Sequence, residues 1–145
     1  MFTAFIVNSI LVAMAIMIHY EMLYRLSRLM PTLAIKHRYR LVVGIFGALI
    51  AHIAEIWMFA FGYFFMLHFT SMGSLIAFDT GESIHNIMDC LYYSFITYTT
   101  LGFGDLIPTG TLRFLTGLES LTGLVLITWT ASFMYFEMHK YWDDQ

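Results

Sequence analysis

The sequence predicts an all-α integral membrane protein with three transmembrane helices, a short re-entrant helix and an irregular glycine-bearing segment after it. Three observations predict that class. Hydrophobic residues make up 59% of the 145 and charged residues only 12%, with a mean hydropathy of +0.73. A soluble domain carries roughly twice that share of charge, so this chain has too few polar residues to cover a water-facing surface. Three stretches are apolar for the roughly 20 residues that a helix needs to cross a hydrocarbon core of about 30 Å. Finally, five of the seven basic residues, Arg25, Arg28, Lys36, Arg38 and Arg40, fall in one short stretch between the first two of those segments. That placement suits a cytoplasmic loop rather than a nucleic-acid site.

The elements follow in order. Residues 1–24 form an extra N-terminal transmembrane helix, its apolar run (Phe2 to about Leu23) interrupted by Asn8, Ser9, His19 and Glu21. Ala13-Met14-Ala15 has the form of a signal-peptidase site, but no basic residue precedes the apolar run and the run continues to Ile18, so cleavage is not expected. Residues 25–40, with Pro31 inside, are the basic cytoplasmic loop. Residues 41–69 form the outer helix, with His52, Glu55 and His68 as polar exceptions. Residues 70–83 are rich in Gly, Ser, Thr, Asp and Glu and read as an exposed turret.

From Ile84 to Tyr98 the chain is apolar again, with Ile87, Met88, Leu91, Tyr92 and Phe95 at helical spacing. At about 15 residues this helix (84–98) is too short to span, so it must be re-entrant, with Ser83 or Asn86 as its N-cap. The segment 99–105 follows it. Irregular backbone at membrane depth is tolerated only where protein or water surrounds it. Residues 112–138 form the last spanning helix, broken by Glu119 and Glu137, and 139–145 are a short cytoplasmic tail. With the basic loop inside, the N-terminus lies outside and the C-terminus inside, and Lys140 agrees. The expected location is a cell membrane, plasma or bacterial inner, crossed several times. The lone Cys90 leaves the redox compartment open.

Gly102 and Gly104 can adopt positive φ cheaply, which allows successive carbonyls of Thr100-Leu101-Gly102-Phe103-Gly104 to face one side. Thr97-Tyr98-Thr99-Thr100-Leu101-Gly102-Phe103-Gly104-Asp105, with Pro108 beyond, resembles the signature of pore-loop potassium channels. Leu91-Tyr92-Tyr93-Ser94-Phe95 and Glu119-Ser120-Leu121-Thr122-Gly123 are similar to segments of small bacterial members. The resemblance covers about Leu41 to Met138, in the order outer helix, pore helix, filter, inner helix, so residues 41–138 form the pore domain.

The resemblance implies a potassium-selective, passively conducting channel subunit without catalysis or cofactor, K+ being the permeant ion. The general case of such a carbonyl ring is itself the potassium-channel filter. Carbonyls of Thr100, Leu101, Gly102 and Phe103, with the Thr100 hydroxyl, would bind K+ in four consecutive sites. Gly104 would close the outer mouth, and Thr99 and Asp105 would support the filter. Phe103 stands where many members have Tyr, so its role would be packing. Ile96 stands where some relatives have a carboxylate partner for the Asp, so Asp105 is expected to pair elsewhere. One pore loop per chain implies a homotetramer, because the ring needs four.

Other residues have two readings each. His52 and Glu55 lie one turn apart, so a contact is natural. Glu55 is either a polar link to the first helix or, with His52, part of a pH-sensitive pair that governs opening. Glu119 either supports the filter from behind or extends toward the outer surface. Gly123 is a packing or a hinge glycine. Stepping by turns from it gives Ile127, Ala131, Tyr135 and His139 as a possible gate or cavity stripe. Arg25 and Arg28 lie beyond the apolar run and read as topogenic charges, not a voltage sensor. The histidines show no metal-ligand spacing.

Expected partners are therefore three further copies of the chain and the lipid bilayer, with no nucleic acid and no cytoplasmic ligand-binding domain. Two rivals stand beside this reading: a non-conducting modulatory subunit of another channel, and an ion-translocating subunit of a potassium transporter. The second usually has degenerate filter loops, unlike the intact Gly102-Phe103-Gly104.

Overall fold

The computed structural model describes residues 2–69 and 73–142. Four helices, α1 (Phe2–Thr32), α2 (His37–Phe69), α3 (Ile87–Tyr98) and α4 (Leu112–Trp142), are joined by a small sheet of β1 (Leu75–Ala77), β2 (Ser83–Ile84) and β3 (Leu106–Pro108). The helices α1, α2 and α4 are each long and apolar enough to cross a membrane. The start of the predicted turret (70–72) and the end of the predicted tail (143–145) lie outside the described residues.

Between the first two spanning helices only residues 33–36 are non-helical, where the sequence suggests a loop over 25–40. The helix outlasts its apolar run because its polar end is locally supported. Glu21 accepts a 2.7 Å hydrogen bond from Arg25 one turn later, and the Arg28 guanidinium lies 4.7 Å from the Tyr24 ring centroid. Pro31 belongs to the last turn of α1 rather than to a loop, and the helix ends one residue after it.

Inside lipid, the hydrophobic effect does not drive helices together; close packing and interhelical hydrogen bonds do. Glycines supply the first of these. A Cβ on Gly44 would meet Met30 at 2.8 Å, on Gly47 would meet Leu26 at 2.4 Å, and on Gly62 would meet Leu11 at 2.7 Å. Those pairs run in opposite senses along the chain, so α1 and α2 form an antiparallel hairpin. The first helix does not simply cover the outer helix. It also packs on α4, burying His19, Leu23, Leu26 and Met30 while Phe5, Ile10 and Met17 stay exposed.

The turret region carries the sheet that the sequence reading lacks. Strand β1 pairs antiparallel with β2 (Leu75 opposite Ile84) and with β3 (Leu75 opposite Pro108, Ala77 opposite Leu106). Its polar composition hides one apolar triplet, Leu75-Ile76-Ala77, and Leu75 is fully buried. The sheet ties together the chain entering and leaving α3. Beside it, Gly73 packs so closely that a Cβ would come within 2.2 Å of the Thr109 carbonyl. Because Ser83 is in β2, the N-cap is Asn86, whose side chain accepts from the Met88 amide at 3.2 Å, and α3 starts at Ile87 rather than 84.

Candidate functional site

Helix α3 ends at Tyr98, and the chain folds back over its C-terminal carbonyls. The Thr99 amide and hydroxyl both donate to the Phe95 carbonyl (3.2 and 2.7 Å), the Thr100 amide to Thr97 (3.0 Å), and the Gly102 amide to Ile96 (3.0 Å). These bonds satisfy carbonyls that a helix end leaves without partners. Over the next residues positive φ recurs at every second position: Thr100 (59°), Gly102 (51°) and Gly104 (81°). Such alternation turns successive carbonyls toward one side, whereas a regular strand points them to opposite sides. Nothing lies within 4 Å of a Cβ built on Gly102 or Gly104, so the glycines serve the backbone angle and not close packing. Thr100 is the one non-glycine with positive φ among the described residues, a conformation that costs about 1–2 kcal/mol.

Residues Thr99 to Asp105 are all exposed in the single chain. Leu101 and Phe103 are 59% and 65% exposed, so most of each side chain is left uncovered by its own chain. Asp105 pairs with Tyr92 of α3, whose hydroxyl donates to it at 2.6 Å, while the Asp105 carbonyl accepts from the Phe78 amide at 2.8 Å. That carboxylate pushes the Tyr92 hydroxyl above the usual phenol range, since ionising it would lose the hydrogen bond and add a like charge. Behind the segment lies a groove of about 210 Å³ lined by Thr97, Thr100, Gly102, Thr116 and Ser120.

Two buried carboxylates hold α3 from behind. Glu119 of α4 accepts from the Tyr63 hydroxyl of α2 at 2.6 Å and is hydrogen-bonded to the Ser94 hydroxyl of α3. Ser94 also lies 2.9 Å from the Ile56 carbonyl, so this node joins α2, α3 and α4. Glu119 is therefore turned inward and does not extend to the surface. The second node centres on Glu55. The expected His52 contact is present at 3.2 Å, and the Tyr98 hydroxyl of α3 donates to the same carboxylate. His19 of α1 reaches it as well, at 3.0 Å, so the polar link to the first helix exists.

His19, Tyr98 and Thr130 are absent from the sequence-level site. The signal for His19 was present. A helical hairpin folded at the basic stretch brings residue 19 level with the low fifties, where His52 and Glu55 are the polar exceptions. The absence of metal-ligand spacing among the histidines holds along the chain but not in space, since His19 and His52 converge on one carboxylate.

Of the stripe read from Gly123, the glycine is buried while Ile127, Ala131, Tyr135 and His139 are exposed. A Cβ on Gly123 would lie 2.1 Å from the Tyr98 carbonyl oxygen, so this glycine faces α3 and is a packing position. Ile127 and Ala131 line a lateral groove with Leu49, His52, Phe95 and Thr99. Tyr135 turns its ring edge-on to His139, with centroids 4.6 Å apart.

Three membrane-length helices and a short helix ending in an exposed, alternating backbone are the arrangement against which a comparison is informative. A family model described as "Ion channel" matches residues 53–137, more than half of the chain. The chain belongs to this ion-channel family. The match begins two residues before Glu55, takes in α3, the 99–105 segment and most of α4, and leaves out α1. The protein is thus an ion-channel subunit of a multi-pass membrane protein, in a family generally without enzymatic activity. No curated protein and no solved structure matches the chain.

Proposed function

We propose that four copies of this chain form a potassium-selective channel of the plasma or bacterial inner membrane, with the N-terminus outside and the C-terminus cytoplasmic. The single observation that carries the reading is the positive φ at Thr100, Gly102 and Gly104 within Thr-Thr-Leu-Gly-Phe-Gly-Asp. A dehydrated K+ needs oxygens on all sides, and one chain supplies one column of carbonyls, from Thr100, Leu101, Gly102 and Phe103, plus the Thr100 hydroxyl. A fourfold ring supplies the rest and also accounts for the exposure of Leu101 and Phe103, which neighbouring copies cover. Thr99 and the Tyr92–Asp105 pair brace the segment in front, and the Glu119 node braces it from behind. The carbonyl end of α3 adds a partial negative charge that favours a cation below the ring. The basic residues around the α1–α2 turn orient the chain.

The test is ion flux from purified protein in liposomes, with subunit mass measured in parallel. Selective K+ flux over Na+, block by Ba2+ and a tetrameric mass are the expected results. Equal K+ and Na+ flux, or a monomer that conducts, would overturn the proposal. Flux that occurs only on co-expression with another channel would identify a modulatory subunit instead.

A further inference from the structure

We propose that His19, His52 and Glu55, with the Tyr98 hydroxyl, form a binding site for a divalent transition-metal ion of the zinc class. The site joins the first helix to the end of α3. One ligand atom from each of His19, His52 and Glu55 lies within 4.8 Å of the others. The His19 and His52 Nδ1 atoms are 3.0 and 3.2 Å from the Glu55 oxygens, and the Tyr98 oxygen is 2.9 Å from His52 Nδ1. Ligands of a tetrahedral zinc ion, each about 2.0–2.2 Å from the metal, lie about 3.3 Å from one another. The adjacent donor pairs already have nearly that spacing, and the His19, His52 and Glu55 donors all lie within 4.8 Å of one another.

The hydrogen bonding around the cluster can accommodate a cation. Both Nε2 atoms face one hydroxyl, Thr130, from 3.0 Å (His52) and 3.3 Å (His19). A threonine hydroxyl has lone pairs for two donors but only one hydrogen to give. In the tautomer with both Nε2–H groups donating to Thr130, each Nδ1 turns a lone pair toward the Glu55 carboxylate, the arrangement that a bound cation requires. Tyr98 brings one hydrogen to this meeting of three electron-pair donors. A divalent cation satisfies all three at once, and Thr130 then serves as the oxygen that holds metal-bound imidazoles by their second N–H. His19 and Glu55 are fully buried, so charge balance matters. A 2+ ion against the Glu55 carboxylate, with the Tyr98 proton released to water, leaves no net charge.

The donor set selects the ion. Two imidazoles and a carboxylate suit zinc and its neighbours, whereas Mg2+ and Ca2+ prefer oxygen throughout. An entry path exists, because the His52 side chain is 13% exposed and borders the lateral groove shared with Phe95, Thr99 and Ile127. Metal binding would clamp α1, α2 and the last residue of α3 in a single unit.

The experiment titrates metal-stripped, full-length protein in detergent with Co2+, followed by visible absorption, and then displaces Co2+ with Zn2+. The expected result is one tetrahedral Co2+ per chain, displaced by Zn2+ and untouched by Mg2+, with binding weakening as pH falls because the ligands must shed protons. His19→Gln, His52→Gln and Glu55→Gln abolish the absorption, and Thr130→Val weakens binding about 10–100-fold. A His68→Gln/His85→Gln double variant, which removes the other pair of facing imidazoles, leaves it unchanged. Melting curves identify any variant that fails to fold, and His19→Gln and Thr130→Val keep Glu55 in place. Co2+ binding that survives His19→Gln, or that is lost with His68 and His85, overturns the proposal. Failure of the wild-type protein to bind Co2+ does so too and leaves the cluster a proton-holding network only.

Discussion

Glu55 and Glu119 are both fully buried within membrane-length helices, and both are tied to α3, yet their surroundings differ in kind. Glu119 meets hydroxyls only, from Tyr63 and Ser94, and the node stays within the segment matched to the ion-channel family. Glu55 meets two imidazoles as well as a hydroxyl; both imidazoles lie outside that segment, His19 on α1 and His52 one residue before its start. Hydroxyls offer a carboxylate fixed hydrogen bonds but no base of comparable strength. Imidazoles exchange protons near neutral pH and bind metals. The hydroxyl set around Glu119 is suited to holding α3 in place, and the imidazoles around Glu55 offer groups that exchange protons or bind metal. A buried carboxylate is thus not one kind of feature: its neighbours set the chemistry open to it.

The change expected to be largest strikes between the two nodes. Gly123→Ala puts a methyl group 2.1 Å from the Tyr98 carbonyl oxygen, against backbone that cannot swing aside. Alanine gains about 1 kcal/mol in helix propensity over glycine, but overpacking typically costs about 1–3 kcal/mol and more when backbone must move. The outcome is a net loss of thermal stability, and a Gly123→Ala protein that melts as high as the parent would remove the close contact from the account.

Glu119→Ala comes next. It takes from the buried Tyr63 hydroxyl its 2.6 Å acceptor, at about 1–3 kcal/mol, while Ser94 keeps the Ile56 carbonyl. Reduced melting temperature and reduced K+ selectivity are expected, with Glu119→Gln restoring most of both because its amide oxygen still accepts. Unaltered reversal potentials and melting in Glu119→Ala would deny the brace.

The comparison sharpens with the paired glutamine variants. Glu55→Gln should flatten the dependence of flux on pH between about 5 and 8, the range in which imidazoles exchange protons, and Glu119→Gln should leave that dependence intact. Equal pH curves for the parent and Glu55→Gln would erase the distinction between brace and sensor. The smallest effect is expected in front of α3. Tyr92→Phe removes an exposed hydrogen bond to Asp105, so melting should be unchanged and only the steadiness or selectivity of K+ flux should suffer. A large loss of stability in this variant would mean that the front, not the back, holds α3.

Composition and spacing made the spanning helices, the short helix and the glycine alternation legible, because each depends on residues close together in the chain. Hydropathy over about 20 residues is a local property, and so is the φ preference of Gly102 and Gly104. The Leu75-Ile76-Ala77 strand was hidden by polar neighbours, since a triplet is too short to show a period. Helix α1 runs past its apolar stretch because apolar runs mark the membrane boundary rather than the helix boundary, and Glu21–Arg25 pairing carries the helix beyond it.

The sequence by itself determined the solvent, the order of the helices and the family-like loop, all written in contiguous residues. Only the tertiary structure decided which polar groups meet in the interior. Glu55 meets residues 36 positions before it and 43 after it, and Glu119 accepts from one 56 positions before it. Buried polar groups must find partners, and which partners they find is set by how helices cross and rotate, an arrangement that no local pattern records.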